Sequence, residues 1–185
     1  MSTSAKPDID TILRERYVSS EVLTSEREQK LQKKFMRLAM EKARDGIRRG
    51  QTPFGACIVR EDRVIACEHN VVWKSTDITA HAEVHAIRKA CEKLKTIDLT
   101  GCEIYSTCEP CPMCFSAIHW ARISTIYYGA TIADAKVLGF NELRLSNRKI
   151  KTLAGSHLAV RGPFMRSECL RLFKEFARKK PGKLY

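Results

Sequence analysis

Two short stretches of the sequence decide the fold and the chemistry: Thr79-Ala80-His81-Ala82-Glu83-Val84 and Pro110-Cys111-Pro112-Met113-Cys114. His81, Cys111 and Cys114 supply one imidazole nitrogen and two thiolates, a ligand set typical of zinc. Because three protein ligands leave a fourth tetrahedral position open for water, the set indicates a catalytic rather than a structural metal site. We therefore predict that these three side chains bind one Zn²⁺ ion.

The number of residues between the two stretches is sufficient for a helix, a turn and a strand that returns to the same end of the sheet. A helix over residues 80–94 and a strand over residues 102–107 bring the two stretches to one end of a sheet. Cys111 and Cys114 share a face in the first turn of a second helix, where unpaired N–H groups favour the thiolate over the thiol. The spacing therefore allows all three ligands to meet.

Glu83 is the residue that distinguishes a catalytic zinc site from the site of a non-enzymatic, zinc-stabilised binding module. A structural zinc site needs four protein ligands and has no use for an unligated carboxylate beside the metal. Glu83, two residues after His81, is free to move protons as a general acid and base. His-x-Glu together with Pro-Cys-x-x-Cys is the pattern of zinc deaminases, although each part alone is common. The combination predicts a hydrolase that removes an exocyclic amine.

The composition is that of an ordinary globular protein. Of the 185 residues, 44% are hydrophobic and 29% are charged, which suits a single domain with a core. Residues 1–22 have no sustained hydrophobic period and are predicted to form an N-terminal arm, with residues 23–185 as one zinc-dependent deaminase domain. No signal peptide or membrane span is recognised, so we expect a cytoplasmic protein with no membrane partner and with reduced cysteines.

The net charge of +12 is concentrated in the carboxyl-terminal part of the chain. Residues 144–185 carry a net charge of +10, whereas residues 1–50 carry +4 and residues 51–143 carry −2. A basic segment of this kind can attract nucleic acid or phosphate groups. The alternative is a solvated helix and tail without an anionic partner.

Hydrophobic periodicity predicts alternating helices and strands. A long helix with its cap at Thr24 ends near Gly46 or Gly50, and a hairpin over residues 56–68 follows. Beyond the two motif stretches we expect a strand over 124–129, a short helix over 133–138, a basic loop over 143–155, a strand over 157–160 and a helix over 167–179. This alternation predicts an α/β fold in which helices cover both faces of a sheet, with the chemistry at one end.

The chain resembles the cytidine-deaminase-like superfamily over roughly residues 31–140, and within it the guanine deaminases most closely. The resemblance is carried by Pro53-Phe54-Gly55-Ala56, Thr79-Ala80-His81-Ala82-Glu83-Val84, Ala86-Ile87-Arg88-Lys89-Ala90-Cys91, Cys108-Glu109-Pro110-Cys111-Pro112-Met113-Cys114 and Leu138-Gly139-Phe140. It implies a three-layer α/β/α sandwich around a mixed sheet of about five strands. It also implies a homodimer, sometimes with an exchanged carboxyl-terminal segment.

The same resemblance implies a set of substrate-binding residues. Residues at positions matching Asn70, Ala82, Asp134 and Tyr185 are expected to contact the base. The residues themselves leave alternatives open, because Asn70 can serve the turn after a strand and Asp134 can be the first-turn acid of a helix.

The function that these features favour is zinc-dependent hydrolysis of guanine to xanthine and ammonia. Zn²⁺ lowers the pKa of a water molecule and Glu83 moves the protons. Guanosine, cytosine and cytidine are alternative substrates for the same chemistry. A transfer RNA adenosine deaminase is a further alternative, supported by the basic carboxyl-terminal segment. Asp134 favours guanine, because an acid suits the N–H groups of guanine whereas the adenine ring offers only acceptors.

Overall fold

The computed structural model describes the backbone of residues 9–179 and 184–185, and the side chains of those from residue 25 onward. Two compact units are distinguished, Met1–Lys34 and Phe35–Tyr185, and the site described below lies in the second. Among the described residues, no helix combines the length and apolarity needed to cross a membrane. The elements are α1 (Ile9–Arg48), β1 (Gly55–Arg60), β2 (Arg63–His69), α2 (Val72–Ser75), α3 (Ala82–Leu94), β3 (Cys102–Cys108), α4 (Pro112–Trp120), β4 (Thr125–Ala130), α5 (Ile132–Leu138), α6 (Asn147–Ala154), β5 (Ala159–Arg161) and α7 (Arg166–Ala177).

The strands form one mixed sheet in the order β2-β1-β3-β4-β5. Strand β1 is antiparallel to both β2 and β3, whereas β3, β4 and β5 are parallel to one another. The parallel strands are joined through helices, as parallel pairing requires. The predicted α/β fold with a mixed sheet of about five strands is confirmed.

Helices cover both faces of this sheet. On one face, α3 and α4 pack against alternate strand residues such as Ile58, Ile104 and Ile126, all fully buried. The opposite face carries Tyr105 and Tyr127, whose stacked rings are 4.6 Å apart. These two tyrosines extend the layer formed by α1 and α7, which supply buried aromatic and sulfur-containing side chains there. The side chains alternate between the two faces because successive strand residues point in opposite directions.

Two helices differ from the sequence expectation. Helix α1 begins at Ile9 rather than at Thr24, because no Gly or Pro interrupts residues 9–24 and a capping residue does not end a run that can continue as helix. The predicted loop over residues 143–155 contains α6, which begins after Ser146, whose hydroxyl accepts the N–H of Lys149. The boundary of the N-terminal arm at residue 22 stays a prediction.

Gly55 at the start of β1 lies directly against the backbone of α1. A Cβ atom at this position would overlap the carbonyl oxygen of Ala39 and lie 2.8 Å from the amide nitrogen of Ala43. The helix therefore packs this closely on the sheet only because residue 55 has no side chain. The next strand residue, Ala56, is fully buried, so the contact fixes one end of the hairpin that leads to the site.

We expect Gly55→Ala to lower the free energy of unfolding by about 1–3 kcal/mol or more, the range measured for overpacked cores. Urea denaturation of the zinc-loaded protein measures the effect. Gly50→Asn is the matched control, since Gly50 has a positive φ that Asn tolerates and a Cβ atom there would have no neighbour within 4 Å. Equal midpoints for the two variants would contradict the close approach of α1.

Candidate active site

The predicted catalytic residues meet where the carboxyl end of β3 faces the starts of α3 and α4. His81 immediately precedes α3 and Cys111 immediately precedes α4, both with extended backbone angles. Pro112 at the first position of α4 has the φ that a helix needs and lacks an N–H that would have no partner there. Cys114 lies in the first turn of α4 and is fully buried. The two helix starts therefore direct three ligand atoms to one point.

The three predicted ligands lie at distances that suit a tetrahedral zinc ion. Nδ1 of His81 is 3.6 Å from Sγ of Cys111 and 3.5 Å from Sγ of Cys114. Zn–N distances of about 2.0–2.1 Å and Zn–S distances of about 2.3 Å at a tetrahedral angle separate nitrogen from sulfur by about 3.6 Å. The residues therefore fit Zn²⁺ bound through Nδ1 and two sulfurs, and a fourth position is left for water.

Hydrogen bonding sets the proton state of the two thiols. The hydrogen bond with Cys114, together with that to His81, lowers the pKa of the Cys111 thiol to about 4. The same pairing, burial and the charge of Glu83 raise the pKa of the Cys114 thiol. The pairing therefore favours the thiolate at Cys111 and the thiol at Cys114, and binding of Zn²⁺ requires both as thiolates.

Glu83 lies beside the ligand cluster and is almost fully buried. Its Oε1 atom accepts a hydrogen bond of 3.0 Å from Oγ of Ser106, whereas Oε2 is 3.5 Å from Sγ of Cys114. Burial raises the pKa of the Glu83 carboxyl, although the charge of His81 opposes this effect. A carboxyl group with a raised pKa can both accept and donate a proton near neutral pH. The oxygen that faces the ligands, Oε2, is the one available for proton transfer.

A cavity of about 250 Å³ adjoins the ligand cluster and Glu83. Its wall includes the rings of Phe54 and Phe140, whose centres are 4.9 Å apart. Its polar lining residues besides the metal ligands are Asn70, Glu83, Glu109, Asn141, Glu142 and Tyr185. Flat apolar walls with a few polar groups are suited to a planar heterocycle. We refer to this space as the catalytic cavity.

Asn70 and Tyr185 lie together in the catalytic cavity. Nδ2 of Asn70 donates a hydrogen bond of 2.7 Å to the hydroxyl of Tyr185, while Oδ1 accepts the N–H of Val72 at 3.0 Å. Asn70 therefore both stabilises the turn after β2 and reaches the cavity. The backbone N–H of Asn141 donates to the carbonyl of Tyr185, and the tyrosine ring lies 6.0 Å from that of His81. Burial raises the pKa of Tyr185 to about 12.

Ala82 and Asp134 are not on the wall of the catalytic cavity. Ala82 is fully buried in the core between α3 and the sheet. Asp134 forms a capping box with Thr131 and a bidentate ion pair with Arg166. Nε of Arg166 is 3.0 Å from Oδ2 of Asp134, and Nη2 is 2.5 Å from Oδ1. Although burial opposes it, the hydrogen bond from Arg166 keeps the pKa of Asp134 below its usual value. Both carboxylate oxygens thus accept hydrogen bonds from within the protein. This geometry agrees with the alternative left open by the sequence, in which Asp134 is the first-turn acid of a helix.

Glu142 is the acidic residue of the catalytic cavity that the sequence interpretation missed. It lines the cavity two residues after Phe140. Burial, with a further contribution from the charge of Cys111, raises the pKa of Glu142 to about 7. The signal that could have found it is its position directly after Leu138-Gly139-Phe140, a stretch that carries the family resemblance.

Comparison with known proteins places these features in a known group. Residues 29–130 match the protein family described as the cytidine and deoxycytidylate deaminase zinc-binding region. The guanine deaminase of Bacillus subtilis (strain 168) is 47% identical over 109 residues, which are 58% of this chain and 70% of that protein. The tRNA-specific adenosine deaminase of Agrobacterium fabrum (strain C58 / ATCC 33970) is 48% identical over 96 residues, 52% of this chain and 63% of that protein.

Among solved structures, the fold is similar to a guanine deaminase from Nitrosomonas europaea, with a TM-score of 0.71 and 28% identity. The match covers 78% of this chain and 83% of that one. The similar proteins thus include a guanine deaminase and a tRNA deaminase at nearly equal identity. The substrate must therefore be inferred from the geometry of the catalytic cavity.

We expect the protein to retain about one Zn²⁺ per chain after dialysis, because the three ligands are preorganised. Cys111→Ala removes one of the three ligands and should abolish this stoichiometric binding. Elemental analysis of the dialysed proteins measures the metal content. Cys91→Ala is the control, because Cys91 lies on α3 outside the ligand cluster and should leave the zinc content unchanged. Full zinc in Cys111→Ala would show that the ligand assignment is wrong.

Proposed function

Because the chain belongs to the cytidine and deoxycytidylate deaminase family and is a zinc-dependent hydrolytic deaminase, we propose that its substrate is a free purine base, guanine. The products are then xanthine and ammonia. The zinc ligands and Glu83 supply the chemistry that the family shares. The choice of guanine depends on the other groups of the catalytic cavity.

The observation that carries this proposal is the carboxyl group of Glu142, which lines the same cavity as Glu83. A third carboxyl group on the wall, that of Glu109, accepts the backbone N–H groups of Ile132 and Asn147. In guanine the amine-bearing carbon C2 lies between two ring nitrogens, N1 with a hydrogen and N3 without one. Such a substrate needs a hydrogen-bond acceptor on one side of the reacting carbon and a proton donor on the other. In adenine and cytosine only one ring nitrogen adjoins the reacting carbon, and it is an acceptor. Two carboxyl groups beside one reacting centre therefore favour guanine.

The size of the cavity and the position of Tyr185 support a free base over a nucleoside or a polynucleotide. Its volume of about 250 Å³ is below the range of about 300–1,000 Å³ that is typical of larger ligands. The ring of Tyr185 lies beside His81 and is tied to Asn70 and Asn141 by hydrogen bonds. A ribose attached to the base would have to pass these side chains.

The proposed mechanism assigns the protons to the two carboxyl groups. When bound, Zn²⁺ lowers the pKa of a coordinated water and so supplies a nucleophile at neutral pH. Oε2 of Glu83 takes up the proton of the attacking water and delivers it to N3 of the base. It then takes the proton of the new hydroxyl on C2 and passes it to the amine, which leaves as ammonia while C2 becomes the carbonyl carbon of xanthine. Ser106 holds Oε1 of Glu83 and so keeps Oε2 directed at the reaction. Glu142 accepts the N1–H and orients the base.

A transfer RNA adenosine deaminase is the second candidate function, favoured by the net charge of +10 over residues 144–185. An ammonia-release assay against guanine, guanosine, cytosine, cytidine, adenine and transfer RNA distinguishes the candidates. The proposal requires that guanine be the substrate with the highest kcat/KM. Efficient deamination of transfer RNA, with an affinity that falls steeply as salt is added, would replace it by the second candidate.

The homodimer and the cytoplasmic location inferred from the sequence stay predictions. Two exposed apolar side chains support a subunit contact: Trp120 at the end of α4 is 80% exposed, and Leu153 on α6 is 72% exposed. A subunit contact that covered both side chains would remove their apolar surface from water.

We expect Glu83→Gln to keep its zinc and fold while losing about 10²–10⁴-fold in kcat, because it removes the proton carrier but preserves volume. Steady-state kinetics on guanine, with zinc content determined on the same sample, measures the loss. Glu92→Gln on the exposed side of the same helix is the control and should keep full activity. Near-normal turnover in zinc-loaded Glu83→Gln would require a different proton carrier.

We expect Glu142→Ala to lower kcat/KM on guanine by about one to two powers of ten, since a charge-assisted hydrogen bond is worth about 1.5–3 kcal/mol and the N1–H group of the base loses its acceptor. Asp134→Ala is the matched control. It removes a helix cap and an ion pair, so we expect lower stability but a nearly unchanged kcat/KM. If Asp134→Ala were inactive and Glu142→Ala active, the result would contradict the role proposed for Glu142. Asp134 would then be the residue that contacts the base, as the family resemblance implies.

A further inference from the structure

A second cavity, of about 790 Å³, lies between α5 and the first turn of α6. Residues of α5 form one side, and residues 144–149 form the other. Glu109 lines both this space and the catalytic cavity and is therefore part of the wall between them. We call this second space the basic cavity.

The basic cavity is lined by four cationic side chains, those of Lys136, Arg144, Arg148 and Lys149. Within the described part of the chain, none of the four forms an ion pair with a carboxylate. The acid on its wall, Glu109, is occupied by backbone donors, since it accepts the N–H groups of Ile132 at 3.2 Å and of Asn147 at 2.9 Å. The cavity therefore has an excess of positive charge that the described residues do not neutralise.

Apolar surface lies next to these cations. Ile132 is buried at the base of the cavity, while Val137 on the rim is 90% exposed. Tyr128 and Leu145 add an aromatic ring and a further aliphatic side chain. A ligand that matches both kinds of wall has an anionic group and an apolar or planar body. The cavity volume falls within the range of about 300–1,000 Å³ that is usual for small-molecule sites.

We propose that the basic cavity binds a nucleoside phosphate. The phosphate contacts Arg144, Lys149 and their cationic neighbours, because guanidinium and ammonium groups are the side chains that bind phosphate oxygens most strongly. The base and ribose lie over the apolar surface of Val137 and Leu145. The site also accounts for part of the positive charge of the carboxyl-terminal segment, three of whose basic residues line it.

A discrete nucleotide fits this geometry better than a polynucleotide does. The four cations surround one concavity, whereas a polynucleotide needs a groove that follows several successive phosphates. Arg166, another basic residue of the segment, is already paired with Asp134. Arg166 is therefore less available to a bound anion than the cations of the cavity.

Occupation of the basic cavity acts on the same helix that supports a zinc ligand. Arg148 and Lys149 belong to the first turn of α6, directly after Asn147. Nδ2 of Asn147 donates a hydrogen bond of 2.5 Å to the carbonyl of Pro110, the residue before Cys111. The two sites are therefore neighbours that share Glu109 and α6, but Arg144 and Lys149 line only the basic cavity.

Isothermal titration of the zinc-loaded full chain with adenosine 5′-monophosphate tests the proposal, because adenine is not the proposed substrate. We expect one nucleotide per chain, weaker binding of inorganic phosphate and no measurable binding of adenosine. The double variant Arg144→Gln/Lys149→Gln should weaken nucleotide binding by about 10- to 100-fold, given the strength of charge-assisted hydrogen bonds. Lys30→Gln/Lys33→Gln, which removes two charges from α1, is the control and should bind normally.

Zinc content and thermal unfolding confirm that each variant is folded, and the single variant Lys149→Gln replaces the double variant if the latter does not fold. Equal affinity for adenosine and its monophosphate would overturn the proposal, because the phosphate would then not be recognised. Unchanged nucleotide affinity in the folded double variant would overturn it as well. Tighter binding of single-stranded oligoadenylate that requires the same two residues would assign the surface to RNA instead.

Discussion

One geometrical requirement governs the rest of the structure: an imidazole nitrogen must lie 3.6 Å and 3.5 Å from two sulfurs at the starts of two helices. Both helices must therefore begin at the same end of the sheet and on the same face of it. The parallel pairing of β3 with β4, with α4 between them, satisfies this requirement, and α3 packs beside α4 on that face. The close contact of Gly55 with α1 closes the opposite face, so the ligand cluster rests on a sheet packed on both sides.

The ligands and Glu83 could be predicted from the sequence because their chemistry depends on short spacings. A two-residue interval from His81 to Glu83 and a three-residue interval from Cys111 to Cys114 fix the helix starts, whatever lies elsewhere. The positions of the strands along the chain were predictable for a similar reason, since each strand has its own apolar run. The start of α1 and the presence of α6 could not be predicted in this way. Both segments are rich in polar residues, so whether they form a helix depends on contacts with neighbouring elements.

The acid that we propose as the substrate contact could not be chosen from local sequence. Asp134 lies in a helical pattern that resembles the family, whereas Glu142 lies in a segment with no period. The difference arises at Gly139, whose φ of +106° ends α5 and turns the chain towards the catalytic cavity. Arg166, which forms an ion pair with the carboxylate of Asp134, is 32 residues away in the chain. Only the tertiary structure shows which carboxyl group is already paired and which is available.

The surroundings of each acid near the site explain its role. Glu109 accepts two backbone N–H groups, and Asp134 accepts Arg166 and the cap of α5, so both carboxylates stabilise loops. Glu83 is buried and Glu142 is half-buried, and burial raises the pKa of each. Acids that are buried with few hydrogen-bond donors are the ones that can exchange protons near neutral pH. Because Glu83 and Glu142 combine this property with a place on the catalytic cavity, we propose that Glu83 carries the protons of the reaction and that Glu142 orients the base.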